Sequence, residues 1–312
     1  MSDQAPKVEV SVVAPVLNER ESLLELCRRI AAALAGRSFE IILVDDGSDD
    51  GGFETMKELH AADPRVRAVR LLQNFGKSAA LAAGFERARG EFIVTIDADL
   101  QDDPDEIPRL LAGLADADLV SGWKQDRRDP AGKRLSSKLA NAVTSVLSGI
   151  RLHDMNCGFK AYRREVVANL RLYGDLHRFI PVLAGARGFK VVELPVRHHP
   201  RRHGRSKYGL GRMPRGFFDL LTALFLTQYA RRPLHLFGGI GASLSLLGFA
   251  ALAYLSVLWV LDKGPIGTRP LFLGGIMLLL LGAQLMSLGL VGELITHLTY
   301  RPGEQYLVRE EL

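Results

Sequence analysis

"VTIDADLQDD", from Val94 to Asp103, is the stretch that decides how the chain is read. Val94 and Ile96 close an apolar run, and four aspartates follow within seven positions. Carboxylates this close repel one another unless a positive charge joins them. A strand that stops in acid therefore points to a sheet rim where something cationic is held. Upstream the pattern recurs. "VEVSVVAPV" (Val8–Val16) reads as a buried strand, followed by apolar residues at helical spacing as far as Gly36. "EIILVDDGS" (Glu40–Ser48) is a second strand ending in acid and glycine. A helical pattern at Phe53–His60, a strand at Val66–Leu72, an Ala-rich helix at Lys77–Arg89 and a strand at Glu91–Asp97 follow. Leu119–Lys124 reads as a fifth strand, and a basic loop and helix take up Arg127–Leu147. Strands alternating with helices predict an α/β fold, Rossmann-like, with a mostly parallel sheet covered on both faces. Ligands of such sheets bind beyond the carboxyl ends of the strands. Glu19, Asp45 with Asp46, and Asp97 with Asp99 stand at three of those ends, which predicts one acidic site.

If the fourth strand persists through Asp99, the side chains of Asp97 and Asp99 point the same way. Two converging carboxylates suit Mg²⁺ or Mn²⁺, whose octahedral shell leaves positions open for phosphate oxygens. The missing positive charge is then a metal ion delivered with a diphosphate. Asp102, Asp103 and Asp105 read instead as solvated caps before a helix beginning near Pro104. A glycosidase acid–base pair is disfavoured, because it needs carboxylates about 5–9 Å apart across a bond. "FGKSAAL" is not a phosphate-binding P-loop, since Leu71 stands where that motif requires glycine, and no G-x-G-x-x-G follows the first strand. Asn74–Lys77 reads as a helix start lining the site.

Polarity changes sharply along the 312 residues. Leu234–Leu261 and Leu271–Leu298 are nearly charge-free, each about as long as a membrane-spanning helix requires. Two such blocks in tandem disfavour buried core helices and predict a membrane hairpin. Arg231, Arg232 and Arg301 flank it, so the positive-inside rule places both its ends on the cytoplasmic side, although Lys263 and Arg269 in the connection oppose this. No signal segment opens the chain, which predicts a cytoplasmic N-terminal domain. Phe217–Tyr229, flanked by Arg212 and Arg215, reads as an amphipathic helix on the membrane surface. The predicted divisions are a domain over 1–210, a juxtamembrane segment over 211–233, the hairpin over 234–298 and a cytoplasmic tail over 299–312. Glu293 and His297, one helical turn apart, read as interfacial or hairpin-packing groups, and Gly238, Gly239 and Ala242 permit close helix approach within the hairpin or a homo-oligomer. Cys27 and Cys157 read as unpaired thiols. A net charge of +5 and sparse aromatic interleaving in the basic run Arg197–Gly209 argue against nucleic acid.

The motifs "APVLNERESL", "LVDDGSDDG", "NFGKSAALAAGFERARGEFIVTIDADLQDDP" and "RRHGRSKYG" resemble, in order, the non-processive family 2 glycosyltransferases of the GT-A fold. The branch is that of dolichol-phosphate mannose synthases and bacterial polyprenyl-phosphate glycosyltransferases, and the likeness runs from Val8 to Tyr208 and through the two apolar blocks. It implies that Pro15, Glu19 and Asp45, with Asp46 beside them, hold the nucleoside. It implies that Asp97, Asp99 and Gln101 hold the ion, and that Lys124, Arg134 and Ser137 form the acceptor-phosphate region, where the pattern departs from the family because a lysine replaces an arginine. Asp154 is implied near the sugar, either orienting a hydroxyl or taking a proton. Arg202, Arg205, Ser206 and Lys207 are implied as the loop closing over the diphosphate, with Lys77 lining the site.

The activity so implied is inverting transfer of one sugar from a nucleotide-diphosphate sugar, UDP-hexose before GDP-mannose, to undecaprenyl or decaprenyl phosphate in the inner membrane. Asp99, Asp154 and Arg205 are its candidate catalytic residues. An acceptor phosphate is already anionic and needs positioning more than deprotonation, while Lys124, Arg134 and Lys138 would screen it from the acidic site. A glycan-extending synthase is disfavoured because two spans do not enclose a polymer channel. A membrane-tethered nucleotide-sugar sensor is disfavoured by the intact aspartates and basic loop.

Overall fold

Apolar side chains alternate along both faces of the first strands, and this sets the architecture. A computed structural model describes residues 8–125, 145, 149–150, 152–200, 213–230 and 232–299, with 213–217 as backbone. The chain divides into two compact units, residues 1–223 and 224–312. In the first unit, Val10, Val12, Ala14 and Val16 of β1 (Val10–Val16) enter one core cluster and Val13 enters the other. Ile41 and Leu43 of β2 (Phe39–Asp45) join the first cluster, and Ile42 and Val44 the second. A strand buried on both faces belongs inside a parallel sheet sandwiched by helices. Helices α1 (Leu23–Ala33), α2 (Gly52–Ala62) and α3 (Lys77–Arg87) alternate with β3 (Val66–Arg70) and β4 (Phe92–Thr95), and α4 (Ile107–Gly113) leads to β5 (Leu119–Lys124). After them come β6 (Lys160–Arg163), α5 (Arg164–Ala168), α6 (Ile180–Gly185), β7 (Val191–Val196) and α7 (Met213–Leu224).

The seven strands run in the order β3-β2-β1-β4-β6-β5-β7. All neighbours are parallel except β6, which is antiparallel to both β4 and β5. Sequence reading did not anticipate β6: four residues are too few for a periodic signal. Its reversal matters for function, because it brings the start of β6 to the rim where the other strands end, pairing Lys160 with Thr95 and with Ser121.

The strand predicted over Glu91–Asp97 is shorter, and the condition that it persist through Asp99 is not met. The ladder stops at Thr95, where the reversed β6 ends the pairing. Val94, Ile96 and Ala98 nevertheless share one core cluster, so side-chain alternation outlives the ladder and leaves Asp97 and Asp99 on the opposite side. The stretch turns at Leu100, a buried residue in the left-handed region at φ 58°, which costs about 1–2 kcal/mol for a branched side chain. The basic helix expected within Arg127–Leu147 lies, but for Ser145, outside the described residues.

In the second unit, a π-helical turn at Phe225–Tyr229 precedes α8 (Pro233–Val260) and α9 (Pro270–Leu298), two helices long and apolar enough to cross a membrane. They pack along a glycine seam with seven-residue spacing, Gly241 against Gly282, Gly248 against Gly275, and Gly289 against Leu234 and Phe237, the five glycines all buried. A Cβ on Gly248 would lie 2.7 Å from the Gly275 carbonyl oxygen. Small residues drive helix association where no water favours apolar contact. Gly238 and Gly239 are not part of this seam, so of the two roles expected for them the hairpin one is not met: a Cβ on Gly239 would meet nothing within 4 Å, and one on Gly238 would meet only Leu234 of its own helix. Glu293 accepts a hydrogen bond from the Leu234 N–H (3.4 Å) at the start of α8, so it packs the hairpin.

Candidate active site

The rim collects the ends of β1, β2, β4, β5 and β7 and the beginning of β6. Pro15 is half-buried near the end of β1, opposite Val44, and Glu19 precedes a short 3-10 turn at Arg20–Ser22, its backbone carbonyl accepting the Ser22 N–H (3.1 Å). Asp45 closes β2 fully buried, accepting the Ser48 N–H (2.9 Å) and facing Arg70 at 3.4 Å. Asp46 accepts the N–H groups of Phe75 (2.8 Å) and Gly76 (3.0 Å), and burial pushes its carboxyl up. These bonds fasten the β3–α3 loop to the end of β2. Gly47, at φ 78°, is obligatory there, since a Cβ would fall 2.6 Å from the Asn74 nitrogen.

Around the acidic stretch the chain supplies its own cations. Lys77, the first residue of α3, forms an ion pair with Asp97. Burial alone would raise the Asp97 carboxyl, and Lys77 overcomes it, holding it below the usual carboxylate range. Lys124, at the end of β5, pairs with Asp102 at 2.6 Å, with 7% and 0% side-chain exposure. Against the penalty of burial, Lys124 and His198 keep the Asp102 carboxyl far below its ordinary value. Asp103 is met by Arg29, by Arg197 at 3.4 Å and by His199 at 3.0 Å. Two expectations are corrected here. Asp102 is no solvated cap but an interior charge, bridged in antiparallel fashion to His198; Asp103 does cap the 3-10 turn at Pro104–Glu106, yet is 2% exposed. Lys124, expected in the acceptor-phosphate region, is engaged by Asp102 and withdrawn from solvent, which makes it a structural partner of the acidic stretch. Asp105 alone of the three stays exposed, as expected of a cap.

Asp99 is buried, its carboxylate accepting the Gln101 N–H (3.2 Å), and the Gln101 side chain reaches the His199 carbonyl oxygen at 3.5 Å. Asp154 is buried, with its N–H donated to Glu193 at 2.8 Å. Gly158, two residues before β6, lies so close to Asp97 that a Cβ would stand 2.8 Å from both carboxylate oxygens. Lys160, 2% exposed, donates to the Cys157 carbonyl oxygen, and burial pushes its ammonium pKa down. The Ser78 hydroxyl faces His177 Nδ1 at 3.0 Å and accepts the His177 N–H (3.1 Å); burial, with Lys77 nearby, depresses His177 to about 3. Gly158, Lys160 and His177 were missed in the sequence, where no periodic or motif signal joins them to the aspartates. Both cysteines are free and buried, and burial raises them to about 12 and about 11, which makes them inert thiols. Arg134, Ser137, Lys138, Arg202, Arg205, Ser206 and Lys207 lie outside the described residues.

The rim fits a hard divalent ion as a partial shell. Among the described residues no group of three His, Cys, Asp or Glu side chains is placed to hold an ion alone. Asp97, 31% exposed and cradled by a glycine that leaves its carboxylate room, offers a reachable oxygen donor. Asp99 and the Gln101 amide oxygen are the further oxygen donors of the stretch, and a diphosphate is the kind of ligand that completes such a set.

Residues 11–171 match the family described as Glycosyl transferase family 2. Dodecaprenyl-phosphate galacturonate synthase of Rhizobium johnstonii is 37% identical over 99% of this chain and 94% of its own length. Undecaprenyl-phosphate 4-deoxy-4-formamido-L-arabinose transferase of Edwardsiella ictaluri is 40% identical over 95% of this chain and 91% of its own. Glucosyl-3-phosphoglycerate synthase of Mycobacterium tuberculosis, solved with Mn²⁺, UDP and phosphoglyceric acid, shares the fold with a TM-score of 0.54 at 24% identity, over 70% of this chain and 78% of that one. The same protein solved with Mg²⁺ and UDP gives 0.54 at 21%, over 70% and 79%.

Proposed function

Because the chain belongs to glycosyl transferase family 2 and is a glycosyltransferase, we propose that it moves one sugar from a nucleotide-diphosphate sugar to a polyprenyl phosphate in the inner membrane. The observation that carries the lipid acceptor is the extent of the likeness. It runs over 99% of the chain, both apolar helices included, to a relative named for a polyprenyl-phosphate sugar. The first unit and both chain ends face the cytoplasm, where nucleotide sugars are made, with Arg232 at the cytoplasmic start of α8.

In the reaction the bond from the anomeric carbon to the diphosphate breaks as a bond to the lipid phosphate oxygen forms, with inversion, and the nucleoside diphosphate leaves with the bonding electrons. Pro15, Glu19, Asp45 and Asp46 form the nucleoside side of the rim. Asp97, Asp99 and Gln101 would hold Mg²⁺ or Mn²⁺, which when bound would neutralise charge developing on the leaving group. Lys77, Arg202, Arg205, Ser206 and Lys207 add fixed positive charge at the diphosphate. Asp154 orients a sugar hydroxyl, and Arg134 and Ser137 receive the acceptor phosphate. UDP-hexoses are the first donors to test and GDP-mannose the second; the named relatives extend the panel to a uronic acid and a modified pentose.

The test is to incubate the purified chain with undecaprenyl phosphate, Mn²⁺ and radiolabelled nucleotide sugars, then extract the lipid. Label in a lipid fraction that mild acid releases as a monosaccharide is expected. Labelled polymer, or binding without transfer to lipid for every donor, rejects the reading.

A further inference from the structure

Two lysine–aspartate pairs serve the acidic stretch, and they differ in access. Lys124–Asp102 is sealed, at 7% and 0% side-chain exposure, whereas Lys77–Asp97 stands at 32% and 31%, open to solvent. A sealed pair is permanent. An open pair is exchangeable, because water or another cation can reach either partner.

Geometry makes the exchange competitive. The Gly158 backbone lies against both oxygens of the Asp97 carboxylate, with a Cβ position 2.8 Å from each, so one side of the carboxylate is already taken. The Lys77 ammonium sits on that carboxylate. A divalent ion there would meet it at contact range, where like charges repel strongly. The backbone carrying Lys77 cannot retreat as a whole. The Phe75 and Gly76 N–H groups are held by Asp46, and Ser78 by His177. The long Lys77 side chain is the part that can move, and a bound donor would bring the diphosphate to the same rim as a new anion.

We infer that Lys77 is a displaceable counter-ion: it neutralises Asp97 in the ion-free chain, competes with the divalent cation, and passes to the diphosphate, so that cation and nucleotide bind cooperatively. This deepens the proposed function and rests on its metal site. With no diphosphate present, an incoming ion must break the Lys77–Asp97 pair and set two cations side by side. With it, the ammonium gains a new anionic partner, and the same coupling must strengthen nucleotide binding by the ion.

The test measures Mn²⁺ affinity of the full chain in detergent, by electron paramagnetic resonance of free Mn²⁺, with and without UDP or GDP. Wild type, Lys77→Met, Lys77→Gln and Lys77→Arg are compared, each checked for folding by thermal unfolding in chelator. The neutral variants are expected to bind Mn²⁺ alone about tenfold more tightly than wild type and to show weaker coupling to the nucleotide, while Lys77→Arg keeps the wild-type pattern. Unchanged or weaker Mn²⁺ affinity in the neutral variants without nucleotide overturns the inference and leaves the metal site standing. Failure of every variant and of wild type to bind Mn²⁺, with or without nucleotide, overturns both.

Discussion

Gly158 has no side chain, and that absence gives Asp97 its room. A methyl group there would press on both carboxylate oxygens from 2.8 Å, and the short aspartate side chain would have to turn. Gly158→Ala is therefore expected to change folding stability little, within about 1 kcal/mol, while lowering sugar transfer by at least about tenfold, or ~1.4 kcal/mol. Asp99→Asn should go further and abolish Mn²⁺-dependent transfer in a chain that still folds. Both are read from initial rates beside thermal unfolding curves; full activity in Asp99→Asn removes that residue from the metal site. At this scale the sequence identified the aspartates, because acid at the end of an apolar run has few other physical uses. Gly158 was invisible, since its importance lies in what it touches 61 residues away in the chain.

Among the elements, β5 and the chain following β7 hold the acidic stretch in place, and Lys124 is the strongest of their ties. Its ammonium and the Asp102 carboxylate are both withdrawn from water. Removing one partner leaves an uncompensated interior charge, so Lys124→Met is expected to cost about 3–5 kcal/mol. Replacing both, as Lys124→Met with Asp102→Leu, should recover much of that loss, because an apolar pair of similar volume carries no desolvation penalty. Urea unfolding of the single and double variants gives the coupling, and a double variant as unstable as the sum of the singles contradicts the pairing. The reversed β6 acts at the same scale. It places Asp154, Gly158 and Lys160 beside strands that run the other way, and Thr95 fixes the approach by donating its hydroxyl to the Gly158 carbonyl oxygen (2.7 Å).

For the whole molecule, the buried ionisable groups predict a fold that weakens towards acid. His177 is driven to about 3, chiefly by burial, so the unfolded chain binds its proton first. Its contribution is constant above about pH 6.5, and stability falls below that by up to ~1.4 kcal/mol per pH unit until the folded group itself titrates. Asp102 and Asp103, held low in the fold, add stability that is present above about pH 4 and lost as pH falls through their folded values. Unfolding midpoints across about pH 2–8 should therefore decline from about pH 6.5 downward, and His177→Gln should flatten that upper portion while leaving the steeper fall below about pH 4. An unchanged profile in that variant would place the proton elsewhere. The alternating strands and helices, the two apolar helices and the acidic rim were legible along the chain, because periodicity, length and local charge density are properties of neighbouring residues. Tertiary structure alone decided the direction of β6, the glycine seam actually used between α8 and α9, and which cation meets which aspartate. Those are choices among partners far apart in the chain, settled by the joint demand that buried charges find counter-charges or polar partners and every backbone a space to fit, and such a demand can be evaluated only once the chain has closed on itself.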